Sequence, residues 1–128
     1  MKLYIAGKWQ DRYVIKHLQA YAIHLGHTIT CDWTNHDFGK DGVIANQEML
    51  NNIALEDENG VRNCEMFIAI FDNDWHYRGA LVEFGMALAL NKKICIVGKS
   101  ENSCIFMNNP TIIKLNNIKE AKALLKIA

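Results

Sequence analysis

The fold is decided by residues 65–97: Glu65-Met66-Phe67-Ile68-Ala69-Ile70-Phe71, a polar turn from Asp72 to Arg78, then Gly79-Ala80-Leu81-Val82-Glu83-Phe84-Gly85-Met86-Ala87-Leu88-Ala89-Leu90, and Ile94-Cys95-Ile96-Val97. Six continuous apolar residues from Met66 predict a strand covered on both faces, since a strand with one wet face alternates instead. Gly79 to Leu90 has the length and composition of a buried helix, closed by Lys92 and Lys93. Ile94 to Val97 predicts the next strand. Strand, helix and strand in this order make a crossover between parallel neighbours.

The alternation continues outward. Lys2 to Ala6, ending at Gly7, predicts a first strand. Trp9, Tyr13, Val14, Leu18, Tyr21, Ala22 and Leu25 recur by threes and fours, which predicts one face of an amphipathic helix stopped by Gly26. His27 to Cys31, with β-branched Thr28, Ile29 and Thr30, predicts a second strand. A polar loop from Asp32 to Gly42 carries Trp33, His36, Asp37 and Phe38, with Gly39 and Gly42 as turn residues. Val43 to about Val61 has helical spacing at Val43, Ile44, Met49, Leu50, Ile53 and Ala54. After a Ser/Asn-rich loop, Thr111 to Leu115 predicts a fifth strand and Ile118 to Ile127 a last helix. The expected fold class is α/β: a three-layer flavodoxin-like or Rossmann-like domain with a mainly parallel five-stranded sheet. One domain over residues 1–128 is expected, because two would each fall below the usual size. Ligands of such sheets bind beyond the carboxyl ends of the strands. The loops after Ala6, Cys31, Phe71 and Val97 therefore meet at one rim.

Composition narrows the function. Half of the residues are hydrophobic and 22% are charged, with 14 Lys and Arg against 14 Asp and Glu. That balance argues against a nucleic-acid partner, which phosphate contacts would mark with a basic excess. Pro110 is the only proline, which argues against a long disordered linker. No stretch approaches the ~20 apolar residues of a membrane span, and the apolar run at Leu3 is too short for a signal peptide. The expectation is a cytoplasmic protein with no membrane partner. Cys31, Cys64, Cys95 and Cys104 form no C-x-x-C pair, so structural or incidental roles are expected for all four. Val97-Gly98-Lys99-Ser100 resembles the end of a phosphate-binding loop, but Lys93 occupies the place of its first glycine. No G-x-G-x-x-G follows the first strand, and neither H-E-x-x-H nor the zinc-deaminase pattern is present. His17, His24, His27, His36 and His76 are scattered. No metal site and no cofactor are expected.

What remains is Glu83, one acid in a helix that is apolar after its first residue. Burying an unpaired carboxylate costs several kcal/mol, so it needs a partner or a use. Near the start of the helix, the dipole and free amides favour its ionised form. At the ligand rim such a carboxylate is suited to nucleophilic attack or to stabilising positive charge. Pairing with Arg78 or Lys93, or facing solvent, is the plain alternative. Gly79 and Gly85 permit close backbone approach, by a ligand or by the neighbouring strand.

Leu3-Tyr4-Ile5-Ala6-Gly7, Gly26-His27-Thr28-Ile29-Thr30-Cys31-Asp32-Trp33-Thr34 and Arg78-Gly79-Ala80-Leu81-Val82-Glu83-Phe84-Gly85-Met86-Ala87 together resemble the nucleoside 2-deoxyribosyltransferase family, in order over roughly residues 2 to 115. The resemblance implies transfer of 2-deoxyribose between nucleobases. Glu83 matches the glutamate that attacks C1′, giving a covalent deoxyribosyl-enzyme and overall retention, as in retaining glycosidases. Tyr4 matches a tyrosine that hydrogen-bonds this nucleophile; a core tyrosine is its alternative. Asp32 and Trp33 match a substrate-binding segment in which Trp33 stacks on the base, unless it merely covers the sheet edge. Gly7 and Gly79 belong to the same expected binding surface.

The resemblance implies a general acid at the start of the third strand, where Glu65 stands in place of an aspartate; a solvated strand-end glutamate is the alternative. A second family aspartate has no clean match. Tyr77 lies near its position, and Asp72 and Asp74 in the same loop are both candidates. A late loop, with Asn102 as the nearest match, implies completion of the site by a neighbouring subunit, hence a homo-oligomer. Nucleosides and free nucleobases are the implied partners. Two rival readings stay open. One is an N-glycosidase of deoxynucleoside 5′-monophosphates, with Gly7, Lys8 and Arg12 near the phosphate. The other is a non-catalytic nucleotide-binding module, because fold alone does not establish function.

Overall fold

The structure is a computed structural model that describes residues 1–36, 46–73, 77–98 and 104–128. Asp37, Phe38, Gly39, Gly42, Val43, Ile44, Asp74, His76 and Asn102 lie outside the described residues. Strands β1 (Lys2–Ala6), β2 (Thr28–Ile29), β3 (Met66–Ile70), β4 (Lys93–Val97) and β5 (Ile113–Leu115) alternate with helices α1 (Arg12–His24), α2 (Gln47–Asn63), α3 (Arg78–Ala89) and α4 (Ile118–Ile127). The five strands form one sheet in the order β2-β1-β3-β4-β5, and all four pairings are parallel. This is the flavodoxin-like order, and its direction reverses between β1 and β3. Helices α1 and α4 pack together, as do α2 and α3, which gives the two outer layers of the three-layer α/β fold.

Local chemistry explains the elements. Every residue from Met66 to Phe71 is at most 1% exposed, as the unbroken apolar run requires. Asn46 starts α2 by accepting from the Met49 amide at 2.8 Å, and Asn117 starts α4 by accepting from the Glu120 amide at 3.0 Å. Gly26 ends α1 with φ +93°, a left-handed conformation that a side chain would strain. Cys64 and Cys95 are buried core thiols. No helix among the described residues is long and apolar enough to cross a membrane.

Four expectations need correction. A 3-10 turn at Trp9–Asp11 precedes α1, which starts only at Arg12. The buried stripe is therefore Ile15, Leu18, Gln19 and Ala22, while Tyr13 and Val14 are 63% and 44% exposed. The turn puts Trp9 out of phase with the helix and sets its ring 6.4 Å from that of Trp33. β2 is shorter than His27–Cys31; the His27 amide donates to the Ala22 carbonyl at 3.0 Å instead of joining the ladder, and its buried ring places Nε2 2.8 Å from the Leu125 carbonyl. Ala54 of α2 is exposed, and the firmly buried residues of that helix are Gly60 and Val61. α3 is apolar but not buried all round: Ala80, Phe84 and Ala87 face the sheet and Val82 is 63% exposed.

Candidate active site

Parallel register brings the carboxyl ends of β1 and β3 level, with Ala6 opposite Ala69. The chain leaves β1 through Gly7, Lys8 and Trp9, and leaves β3 through Phe71, Asp72 and Asn73. Between them, at the reversal of strand order, opens a cleft of about 480 Å³. Its walls are the rings of Trp9 and Trp33, the start of α3 from Tyr77 to Ala80, and His36 with Asp57 from the α2 side; Glu83 lies within it. Switch points of open α/β sheets are where ligands bind.

Glu83 sits in the second turn of α3 and accepts a hydrogen bond from the Tyr4 hydroxyl. Tyr4 is wholly buried in β1, its ring stacked on Phe67 of β3 at 5.7 Å and 6°. Tyr4 is therefore core by its ring, while its hydroxyl reaches Glu83, which lines the cleft. No cation pairs with Glu83 among the described residues, Arg78 and Lys93 included. Burial pushes the Glu83 carboxyl up from 4.5 to about 8. This corrects the expectation that the helix start holds it ionised. The free amides belong to the first turn, and desolvation outweighs the dipole one turn further on. The Tyr4 hydroxyl works in the opposite direction, because a donor favours the carboxylate.

The rim around Glu83 is tied across the two loops. Lys8 Nζ donates to Asn73 Oδ1 at 2.8 Å and lies 3.4 Å from Asp11 and 3.8 Å from Asp72. The Tyr77 hydroxyl donates to Asn73 Oδ1 at 2.9 Å, and its ring packs 4.6 Å from Phe71. Tyr77 is left-handed, with φ 44°, a conformation that costs a non-glycine residue roughly 1–2 kcal/mol. This bend turns the chain from the rim into α3. Burial pushes the Tyr77 hydroxyl up to about 12, so it stays a proton donor at neutral pH.

Of the sequence-predicted residues, Glu83, Trp33, Gly7 and Gly79 line the cleft, with Tyr4 behind Glu83 and exposed Asp72 on the rim beside Lys8 and Tyr77. Trp33 is buried, and its Nε1 donates to the Ile5 carbonyl at 2.6 Å. Its nitrogen is spent on β1, and the residue lines the cleft beside Trp9. Asp32 turns away from the cleft: it accepts from the Thr34 amide at 3.1 Å, the Thr34 hydroxyl and Asn35 Nδ2 at 2.8 Å, and so caps the turn Trp33–Asn35. Glu65 is not brought to the site. It precedes β3 at the amino end of the sheet, accepts from the Lys2 amide at 2.6 Å, and is separated from the rim by the strand, about 17 Å at ~3.3 Å per residue. Asp74 and Asn102 lie outside the described residues.

Sequence reasoning missed His36 and Asp57 as a pair. His36 Nε2 lies 3.4 Å from Glu56 Oε2 and 3.7 Å from Asp57 Oδ1. Burial raises the Asp57 carboxyl, against the opposing pull of His36. The only hint in the sequence is Gly60, one turn on, which lets α2 approach the sheet closely.

Residues 3–119 match the model of the family described as Nucleoside 2-deoxyribosyltransferase. The comparison with curated proteins found no match. Among solved structures, the fold is similar to that of a Clostridium botulinum CMP N-glycosidase (TM-score 0.68, 18% identity, 99% of this chain and 98% of that chain). It is also similar to a 2-deoxyribosyltransferase from the psychrotolerant bacterium Bacillus psychrosaccharolyticus (TM-score 0.73, 16% identity, 98% of this chain and 96% of that chain). The match over most of the chain, on a parallel sheet whose switch-point cleft holds a desolvated glutamate, means that this protein belongs to the nucleoside 2-deoxyribosyltransferase family.

Proposed function

We propose that the protein transfers 2-deoxyribose between nucleobases through a covalent intermediate on Glu83. One observation carries this reading: a carboxyl desolvated in an apolar helix, hydrogen-bonded by Tyr4, and open to a cleft with aromatic walls. The Glu83 carboxylate attacks C1′ from the face opposite the base. The C1′–N bond breaks, and the departing base takes the electron pair and a proton. A ring nitrogen of a second base then attacks C1′, its proton passing to the group that protonated the first base, while the ester to Glu83 breaks and the carboxylate returns; two inversions give retention. Positive charge building on the sugar favours the ionised form of Glu83, and in a site poor in water that attraction is strong. Tyr4 holds the carboxylate in line and shares its charge. Asp72 is the acid candidate within the rim, since Glu65 stands at the other end of β3. Trp33 and Trp9 stack against the base.

A second reading has its own observation. At the mouth of the cleft, the Arg78 side chain and the first amides of α3, whose ladder opens with Leu81 donating to Tyr77, form a surface suited to a 5′-phosphate. Hydrolysis of a deoxynucleoside monophosphate is the activity that surface would serve. The exposed Ile105 and Phe106, at 76% and 64%, support a homo-oligomer joined near the late loop.

The test is incubation with thymidine and adenine. Deoxyadenosine and thymine are expected, and Glu83→Ala abolishes exchange while keeping the folded circular dichroism spectrum. Release of free base and 2-deoxyribose 5-phosphate from a monophosphate without exchange selects the hydrolase, and binding without turnover overturns both.

A further inference from the structure

The geometry points to a divalent-metal site formed by Cys31 Sγ, His36 Nε2 and Asp57 Oδ1, at the partition between the Glu83 cleft and its neighbour, taking a borderline cation of the zinc type. The three ligand atoms lie within 4.8 Å of one another. Cys31 Sγ is 3.4 Å from Asp57 Oδ1, and His36 Nε2 is 3.7 Å from the same oxygen. Zinc bonds of about 2.3 Å to sulfur and 2.0–2.1 Å to nitrogen and oxygen, at tetrahedral angles, give ligand separations of about 3.5 Å for S–O and 3.3 Å for N–O. The S–O and N–O spacings are within a few tenths of an ångström of those values, and Cys31 Sγ and His36 Nε2, within 4.8 Å of each other, close toward about 3.5 Å when the ion enters. One soft and two harder donors suit zinc or cobalt better than magnesium or calcium.

The supports of these ligands are built into the fold. Cys31 follows β2, and α2 is drawn against it at Gly60. A Cβ on Gly60 would meet Cys31 Cβ at 2.5 Å, and the Gly60 carbonyl accepts from the Thr30 hydroxyl at 2.7 Å. This close approach is what sets Asp57, on the preceding turn of α2, beside the thiol. His36 is delivered by the turn Trp33–Asn35, which Asp32 caps. His36 and Asp57 also line the Glu83 cleft, whereas Cys31, His36 and Glu56 line the adjoining one. The fourth coordination position therefore opens to solvent and to small ligands, as in sites that keep a water.

Without an ion the thiol is protonated and donates to Asp57. Burial first, and then the nearby charges of Asp57, Glu56 and Asp32, push it up to about 12. Metal entry replaces that proton, which leaves to solvent, by a Cys31–metal bond. The site does not depend on the glycosyl-transfer reading.

The test is titration of the chelator-treated full chain with Co²⁺ and then Zn²⁺. One equivalent of Co²⁺ is expected to give a thiolate-to-cobalt charge-transfer band and the strong visible bands of a tetrahedral ion, both bleached by Zn²⁺. Cys31→Ser removes the charge-transfer band, Cys104→Ser keeps it, and Asp57→Asn weakens Co²⁺ affinity by at least ~100-fold, more than loss of an outer partner would. Zn²⁺ is also expected to raise the thermal midpoint of the parent protein and not that of His36→Ala, which covers the case of a misfolded Cys31 variant. Absence of the band in the parent protein, its survival in Cys31→Ser, or an equal Zn²⁺ effect on both thermal midpoints overturns the proposal.

Discussion

Replacing Glu83 by Gln tests the physical basis of the site without relying on turnover. A carboxyl raised from 4.5 to about 8 keeps its proton longer in the folded than in the unfolded chain. Stability is therefore full below about pH 4.5 and is lost as pH rises toward 8, at about 1.4 kcal/mol per unit. The loss is about 1 kcal/mol at pH 5, about 3 kcal/mol at pH 7 and nearly 5 kcal/mol above pH 8. These figures are ceilings, because the Tyr4 hydroxyl donates to the carboxylate and pulls its pKa back down. Gln carries no charge to bury, and its carbonyl still accepts from Tyr4. Glu83→Gln should therefore gain on the parent protein by up to about 4 kcal/mol between pH 5 and pH 9. With a urea slope of about 2 kcal/mol/M, this is a midpoint separation widening by up to ~2 M. Parallel midpoints from pH 5 to pH 9 would mean that Glu83 is well solvated, and the argument for an activated carboxylate would fail with them.

Four further outcomes follow from the same geometry. kcat/KM for base exchange should climb with pH to a plateau above about 8, the value to which burial takes Glu83. Tyr4→Phe should move that limb upward and cut the rate at pH 7 by about 10- to 100-fold, the worth of a hydrogen bond to a charged group; an unmoved limb would detach Tyr4 from the reaction. Asp72→Asn should lower kcat by ~10²–10⁴-fold, the range of general acid–base catalysis, while Glu65→Gln leaves exchange unchanged; the reverse ranking would restore Glu65. Gly60→Ala should cost roughly 1–3 kcal/mol of stability in urea unfolding, since the new Cβ meets Cys31 Cβ at 2.5 Å and Tyr4 Cε2 at 2.9 Å.

Much of this protein is legible in its sequence, for reasons that differ between residues. β3 is readable because an unbroken apolar run has few other homes than a strand covered on both sides, and Met66 to Phe71 is buried throughout. The desolvation of Glu83 is readable because it is the one charge in α3 after Arg78, the first residue of that helix. The burial of α1 is misread because Trp9 fits the helical spacing numerically but belongs to a separate turn. Periodicity counts residues and does not register where a helix begins. Tyr4 illustrates a different limit. A strand pattern tells which face a side chain takes, but not how far along the strand its polar tip reaches, so only family resemblance links its hydroxyl to Glu83.

Glu65 and Asp57 show that polar residues are placed by topology rather than by local pattern. Both sit among charges, Glu65 near Arg62 and Asp57 between Glu56 and Glu58, and by composition either is a solvated acid. The direction of β3 separates Glu65 from the rim, because in an all-parallel sheet the amino ends of the strands lie opposite the carboxyl ends where ligands bind. Asp57 reaches the cleft for a non-local reason. Gly60 lets α2 come into contact with Tyr4 and Cys31, and only the face of α2 that carries this glycine is turned inward. The glycine that seats α2 against Tyr4 thus also sets Asp57 beside Cys31 and His36, so displacing α2 at Gly60 should disturb the Glu83 cleft and the Cys31 cluster together.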